Sequence, residues 1–165
     1  MRCRPPHRPP HRPVVPDLGG KHAVILHRPN PAVDALARQL DKIGLSMAGY
    51  RPDLLAEATV ADYVFFDADM DQDAQLPWAP GAAPMPLIAL IGSEAPGRVA
   101  RAMALGASGQ ILKPLGDGGV FSALLIARQG FDQRAALHGR IVAHGRAPAE
   151  NPAPPNAAPP RRYRR

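Results

Sequence analysis

The segment Asp62-Tyr-Val-Phe-Phe-Asp67-Ala-Asp69-Met70 decides how the rest of the chain is interpreted. Its four consecutive apolar residues are too few for a helix and fit a strand that is buried on both faces. The strand then ends in a run of alternating carboxylates from Asp67 to Asp73. In an open parallel sheet, ligands bind beyond the carboxyl ends of the strands. Asp67, directly after the apolar residues, is therefore the first candidate for chemistry.

Short apolar runs on both sides of this segment alternate with helical patterns, which is typical of βα units around a parallel sheet. The best-defined helix has Asn30 as its N-cap, Pro31 in its first position and Gly44 at its end. Prolines between residues 77 and 86 leave no pattern for a third helix. We predict strands at 22–27, 45–50, 63–66, 87–91 and 110–112, and helices at 31–43, 53–58, 96–105 and 119–142.

These elements predict a three-layer α/β fold with five parallel strands and a degenerate third helix. In the last two helices, the apolar periodicity also predicts which residues face the core. We expect Val99 and Met103 to face it from the first of these helices, and Phe121 and Leu124 from the second.

The net charge of +6 comes from the two ends of the chain. Residues 1–22 and 140–165 hold eleven basic and two acidic residues, whereas residues 23–139 hold nine basic and twelve acidic residues. A nucleic-acid-binding domain is expected to concentrate its positive charge on a folded face. The sequence therefore predicts a mildly acidic domain between two disordered tails that are rich in proline and arginine.

Several functional classes lack their sequence signals. No apolar stretch approaches the roughly 20 residues of a membrane span, and no apolar core of a signal peptide follows Met1, so we expect a cytoplasmic protein. Cys3 is the only cysteine, which excludes a disulfide or a cysteine zinc site within one chain. His7 and His11 lie among prolines, which prevent a helical metal-binding pair. We assign no catalytic residue and no metal site.

Three chemical interpretations compete for Asp67. The alternating aspartates suit a calcium loop, but Gln72 and Trp78 stand where that loop requires Gly and Glu. Asp67 and Asp69 also match the nucleophile and the acid/base of a haloacid-dehalogenase-type phosphatase. That family carries its motif on the first strand, whereas here the motif follows the third.

The third interpretation covers most of the chain. Residues 62–70, Pro86-Leu-Ile-Ala-Leu-Ile91 and Gly106-Ala-Ser-Gly-Gln-Ile-Leu-Lys113-Pro114 resemble, in order and spacing, the CheY-like receiver domain of bacterial response regulators. The resemblance implies that Asp67 stands at the phosphoacceptor position. It also implies that Lys113 contacts the phosphoryl group and that Pro114 follows it in a commonly cis peptide bond.

The departures from the receiver pattern concern its phosphate chemistry. Receivers place two acidic residues after the first strand to hold magnesium, and this chain has His27 and Arg28 there. Ile91 replaces the hydroxyl residue of the fourth strand, and Gln110 replaces the aromatic switch residue of the fifth. We therefore expect a pseudo-receiver without a magnesium cofactor, in which Arg28 pairs with Asp67. A phosphorylatable receiver that uses Asp67 and Mg²⁺ is the alternative.

A narrower resemblance points to one family of regulators. The loop Leu26-His-Arg-Pro-Asn-Pro31, the segment Gln39-Leu-Asp-Lys-Ile-Gly44 and the long last helix are similar to the amide- or nitrogen-responsive ANTAR antitermination regulators of the AmiR/NasR type. That resemblance implies control by a partner protein or by dimerisation, and a coiled coil that leads into a three-helix RNA-binding module. Residues 146–165 cannot form such a module, so we expect RNA binding only in relatives that carry it.

These inferences divide the chain into four segments. Residues 1–21 form a basic tail, residues 22–130 the receiver-like domain, residues 131–145 a helical extension or coiled-coil start, and residues 146–165 a second basic tail. Phe131, Leu137 and Ile141 fall near one stripe of the extension. The expected function is non-enzymatic signal input through a homodimer or a regulatory partner protein, without a membrane.

Overall fold

The computed structural model describes residues 17–50, 55–70, 76–116 and 118–145. In these residues the elements follow one another as β1 His22–Leu26, α1 Pro31–Ile43, β2 Ser46–Tyr50, α2 Leu55–Ala58, β3 Tyr63–Asp67, β4 Leu87–Ile91, α3 Pro96–Ala104, β5 Gly109–Leu112 and α4 Val120–Gly145. All five strands are parallel and lie in the order β2-β1-β3-β4-β5. This is the flavodoxin-like strand order, and it confirms the predicted CheY-like α/β fold.

The sheet lies between two apolar layers because successive strand residues point to opposite faces. On one face, Ile25 and Phe65 pack with Leu36 of α1 and Leu124 of α4. On the other face, the neighbouring residues of the same strands pack with α2 and α3. The strands β3 and β4 are buried along their whole length, which is why their sequences are continuously apolar.

The ends of α1 follow from single residues. The Asn30 side chain accepts a hydrogen bond from the Val33 backbone N–H at 3.0 Å, and Pro31 occupies the first helical position. At the other end, Gly44 adopts a left-handed conformation with φ of 90°, which an L side chain rarely adopts. The helix therefore begins and ends where the sequence predicts.

Two expected core positions are wrong. Met103 is 69% exposed, because Val99 and Ala102 are the residues that α3 turns toward the sheet. Phe121 is 42% exposed, whereas Leu124 is fully buried as expected. The spacing Val120, Leu124, Ala127 forms the core stripe of α4, and Phe121 lies one residue to its side.

The remaining expectations concern the edges of the described segments. No helix occurs between Leu76 and Pro86, the described part of the segment for which the sequence predicted a degenerate third helix. Leu18, which the sequence analysis placed in the first tail, is 4% exposed and packs in the core. Residues 1–16, 51–54 and 146–165, including both predicted tail ends, lie outside the described residues. Among the described helices, none has the length and hydropathy of a membrane span.

Candidate functional site

The candidate site lies at the carboxyl edge of the sheet, where three strands end. Asp67 is the last residue of β3, His27 directly follows β1, and Lys113 directly follows β5. β1 and β3 are neighbours in the sheet, and β5 lies two strands beyond β3. The side chains of His27 and Lys113, far apart in sequence, therefore meet at the Asp67 carboxylate.

Both oxygens of the Asp67 carboxylate have basic partners. Oδ2 lies 3.0 Å from His27 Nε2, and Oδ1 lies 2.9 Å from Lys113 Nζ. Oδ1 also accepts the Asp69 backbone N–H at 3.0 Å. Asp67 is only 6% exposed. The carboxylate is thus enclosed and hydrogen-bonded on both sides.

Both ring nitrogens of His27 have oxygen partners. Nε2 faces the Asp67 carboxylate at 3.0 Å, and Nδ1 lies 2.7 Å from the Arg28 carbonyl oxygen. Both oxygens can only accept hydrogen bonds, so each ring nitrogen faces an acceptor. The contacts of the ring to Asn30 Nδ2 and Lys113 Nζ are longer, at 3.4 Å each. His27 is therefore a buried hydrogen-bonding partner of Asp67.

The titration of the carboxyl groups follows from these contacts. Burial raises the pKa of Asp67, but hydrogen bonds from His27, Lys113 and the Asp69 amide outweigh it and hold that pKa well below its usual range. Burial likewise raises the pKa of Asp69, and Lys113 and Arg98 bring it below its usual value. Burial lowers the pKa of Lys113, while Asp69 and Asp67 raise it above normal. All three groups are charged at neutral pH.

Arg28 does not make the predicted ion pair. It is exposed, and its neighbour His27 contacts Asp67 instead. β1 ends at Leu26 and leaves the buried His27 side chain to face the site. His27, not Arg28, is therefore the residue after the first strand that pairs with Asp67. The expectation for Arg28 is wrong.

Asp69 forms two further ion pairs, which the sequence did not predict. Asp69 Oδ2 lies 2.8 Å from Lys113 Nζ, and its Oδ1 pairs with Arg98 in the first turn of α3. Gly92 makes room for this carboxylate, because a Cβ at Gly92 would lie 2.8 Å from Asp69 Oδ2. The glycine directly after β4 was the available sequence signal.

The other receiver-like positions are placed as follows. Lys113–Pro114 is a cis peptide bond, as the resemblance implies. Ile91 is fully buried, and Gln110 is exposed on the edge strand β5. Neither side chain supplies the hydroxyl or the aromatic ring that stands there in receivers.

Comparison with known proteins assigns the family. The family model described as AmiR, N-terminal, matches residues 21–128. The chain belongs to the AmiR N-terminal family. As an AmiR-type domain it is a receiver-domain signal input of a response regulator, as the resemblance implied. No curated protein gave a significant match.

Several solved structures are similar to this AmiR-type domain. A fusion that contains the yeast Spc42 trimeric coiled coil has a TM-score of 0.52 at 16% identity and covers 77% of this chain and 90% of its own. The ShkA Rec1 domain in complex with c-di-GMP has a TM-score of 0.49 at 24% identity, covering 66% and 94%. A CheY-like response regulator from Mesorhizobium loti has a TM-score of 0.47 at 19% identity, covering 66% and 98%.

The receiver fold implies a magnesium ion, and the residues of this AmiR-type domain do not fit one. Mg²⁺ requires oxygen ligands in octahedral geometry. Here the end of β1 is followed by His27, which already pairs with Asp67, and by an exposed Arg28, while Lys113 bridges Asp67 and Asp69. Within the described residues, no group of three or more potential ligand side chains is placed to hold a metal. The two carboxylates of the site, those of Asp67 and Asp69, are already paired with basic side chains.

Proposed function

We propose that this chain is a pseudo-receiver: a non-enzymatic, cytoplasmic signal-input domain of an antitermination regulator that works through protein contact with little or no phosphorylation. The observation that carries the proposal is the double engagement of Asp67 by His27 at 3.0 Å and Lys113 at 2.9 Å. A phosphoacceptor needs one carboxylate oxygen for attack on phosphorus and a cation to neutralise the incoming oxygens. In this site His27 already holds Oδ2.

Electrostatics support the same proposal. A phosphoryl group arriving at Asp67 displaces at least one of the two buried pairs. The displaced cation loses its partner inside the protein, which costs several kcal/mol. Mg²⁺ offsets such costs in phosphoryl transfer, but at this edge His27 and Lys113 already occupy both oxygens of the carboxylate that would hold the metal. The position of Lys113 favours the phosphorylatable alternative, because its Nζ lies 2.9 Å from the Asp67 carboxylate, within reach of a phosphoryl group on that residue.

The proposed output is the last helix. α4 continues as one helix to Gly145, and its final turns expose Leu137, Ile141 and Val142 by 56%, 69% and 61%. An apolar stripe on a projecting helix is typical of a surface that pairs with another helix. We propose a second copy of the chain or a regulatory protein as the partner. RNA contact is proposed only for regulators that carry a separate RNA-binding module.

Incubation with acetyl phosphate and Mg²⁺, followed by intact mass measurement, tests the proposal. The expected result is unmodified protein under conditions that phosphorylate a receiver with an intact acidic pair. A stable phosphoryl adduct that disappears in Asp67→Asn would establish the phosphorylatable alternative instead. Release of phosphate from an ester substrate would contradict the non-enzymatic assignment.

The dimer or partner surface has its own measurement. Sedimentation velocity over a range of concentrations is compared for the native chain, for Leu137→Gln/Ile141→Gln, and for Ile126→Gln. Ile126 is 62% exposed on the same helix but within the domain, so it controls for lost surface hydrophobicity. Self-association that only the double variant weakens supports the helical extension as the contact. Equal effects of both changes contradict it.

A further inference from the structure

A cleft lies at the end of the sheet opposite Asp67. It has a volume of about 700 Å³ and is walled by residues 81–85 before β4, residues 103–107 before β5, and residues 131–138 of α4. Because parallel strands start at this edge, the cleft is separated from the Asp67 site by the length of the strands. Its volume falls in the range of small-molecule sites, roughly 300–1,000 Å³.

The walls of the cleft are mostly apolar. Met85, Met103 and Phe131 line it together with alanines and glycines. Met103 is 69% exposed and Phe131 is half-buried, so apolar side chains face the opening as well as the floor. Met side chains adapt to irregular apolar ligands because they are unbranched and polarisable. The cleft therefore favours the apolar body of a ligand.

The position of the walls relative to each other is fixed by backbone contact. Gly81 and Gly106 both have positive φ, at 76° and 92°. A Cβ at Gly106 would lie 2.8 Å from the Gly81 Cα, and the Gly81 N–H donates to the Leu105 carbonyl at 3.4 Å. The loop before β4 is thus held against the end of α3, and the space beside α4 stays open.

The polar side chains of the cleft are basic. Arg134 and His138 lie one turn apart on the face of α4 that lines it, and none of the described lining residues is acidic. The Arg134 guanidinium donates to the Ser108 hydroxyl, a neutral acceptor that leaves its charge uncompensated. Among the described residues, no carboxylate forms an ion pair with Arg134. An anion is the natural complement of this end of the cleft.

We propose that the cleft binds a small amphipathic anion, with an apolar body between Met85, Met103 and Phe131 and a single carboxylate or sulfonate on Arg134. Leu137, Ile141 and Val142, the side chains proposed above for contact with a second copy or a regulatory protein, do not line the cleft. The site is independent of the Asp67 carboxylate and of its phosphorylation.

The probe is 8-anilinonaphthalene-1-sulfonate, and the reporter is the protein's own fluorescence. Trp78 is the only tryptophan, and it packs in the same apolar cluster as Ala83 and Ala107, which line the cleft. We expect saturable binding of one probe per chain with energy transfer from Trp78. Decanoate displaces the probe, whereas decanol, with the same apolar body and no charge, displaces it at least tenfold less well.

Two variants on α4 form a matched pair. Arg134→Gln removes the arginine of the cleft. We expect it to weaken binding of the probe roughly tenfold, the effect of one charge-assisted hydrogen bond. Arg128→Gln removes an arginine that pairs with Asp132 outside the cleft and is expected to leave binding unchanged. Near-ultraviolet circular dichroism establishes that both variants keep their packed core.

Each remaining outcome overturns the proposal. Absence of energy transfer places the probe elsewhere, and equal affinities of the two arginine variants remove the role of Arg134. Equal displacement by decanol and decanoate removes the anionic head group. Affinity that falls as protein concentration rises makes the cleft an interface between copies. Backbone amide NMR shifts outside 81–85, 103–107 and 131–138, without shifts inside these segments, also contradict the assignment.

Discussion

His27 Nε2 lies 3.0 Å from Asp67 Oδ2, and the two side chains are 4% and 8% exposed. Breaking such a buried pair leaves one charge without a partner, which costs roughly 3–5 kcal/mol. The chain thus has a buried histidine paired with Asp67 at the strand end where the receiver resemblance implies acidic metal ligands. From this relationship follow the stability, the titration and the metal response of the site.

Removal of the Asp67 charge is expected to destabilise the fold. Asp67→Asn leaves His27 and Lys113 without their shared anion, so the free energy of unfolding should fall by roughly 3 kcal/mol at neutral pH. Urea unfolding measures this change. The control Asp62→Asn breaks the exposed pair with Lys21 and should cost less than about 1 kcal/mol. Equal costs would mean that burial contributes nothing at Asp67.

The same pair predicts a pH dependence with a definite sign. The pKa of Asp67 is lowered in the folded protein, so its contribution to stability is complete above the pKa of the unfolded chain, about 4. The contribution is lost as pH falls below that value toward the folded pKa. The difference in unfolding free energy between the native chain and Asp67→Asn should therefore shrink under acid conditions. A difference that grows below pH 4 would contradict the ion pair.

Substitution of His27 is expected to raise the pKa of Asp67. His27→Gln keeps a side chain that can donate to Oδ2 but removes the positive charge, while Lys113 and the Asp69 amide still lower the pKa. Carboxyl ¹³C NMR titration measures the change. Arg28→Gln, which alters the exposed neighbour, should leave the Asp67 titration where it is. A larger shift in Arg28→Gln would restore the original expectation for Arg28.

The acidic pair that receivers carry can be introduced at the end of β1. His27→Asp/Arg28→Asp places one carboxylate beside Asp67 and a second at the next residue, so Mn²⁺ should raise the melting temperature of this variant. The native chain should show no such stabilisation, because His27 and Lys113 occupy the carboxylate. A comparable rise in both proteins would show that His27 does not exclude a metal.

Substitution of Gly92 is expected to displace the Asp69 carboxylate and so destabilise the fold. A Cβ at Gly92 would lie 2.8 Å from Asp69 Oδ2, so Gly92→Ala displaces that carboxylate from Lys113 and Arg98. We expect a loss of about 1 kcal/mol in unfolding free energy, the scale of partly exposed ion pairs. Gly97→Ala, with open space around its Cβ in α3, should stabilise by up to about 1 kcal/mol. Opposite signs are the prediction; two gains would contradict it.

The fold could be predicted because its signals are local. Four buried apolar residues before Asp67, the Asn30 cap and Gly44 each fix an element without reference to distant residues. The core face of α3 could not be assigned in the same way. Its register on the sheet is set by how Val99 and Ala102 pack, and the sequence offers Met103 as an equally apolar candidate.

The sequence could predict which residues lie at the site, but it could not predict all of the ion pairs that they form. Asp67 and Lys113 follow strands that the sequence marks clearly, and their proximity follows from the sheet. Which of His27 and Arg28 contacts Asp67 depends on the side chain directions at the end of β1, where one residue reverses the face. Arg98 reaches Asp69 from a helix 29 residues away in sequence. No pattern in one sequence connects such a pair.

The response of backbone amides to beryllofluoride and Mg²⁺ tests most directly whether Asp67 is closed to phosphoryl chemistry. Beryllofluoride is a phosphoryl mimic, so a competent receiver binds it at its acceptor carboxylate, and amide NMR detects the change around that residue. We predict no shift at Asp67, Asp69 or Lys113 in the native chain, and shifts at these amides in His27→Asp/Arg28→Asp. Saturable shifts of the Asp67 and Lys113 amides in the native chain would contradict it.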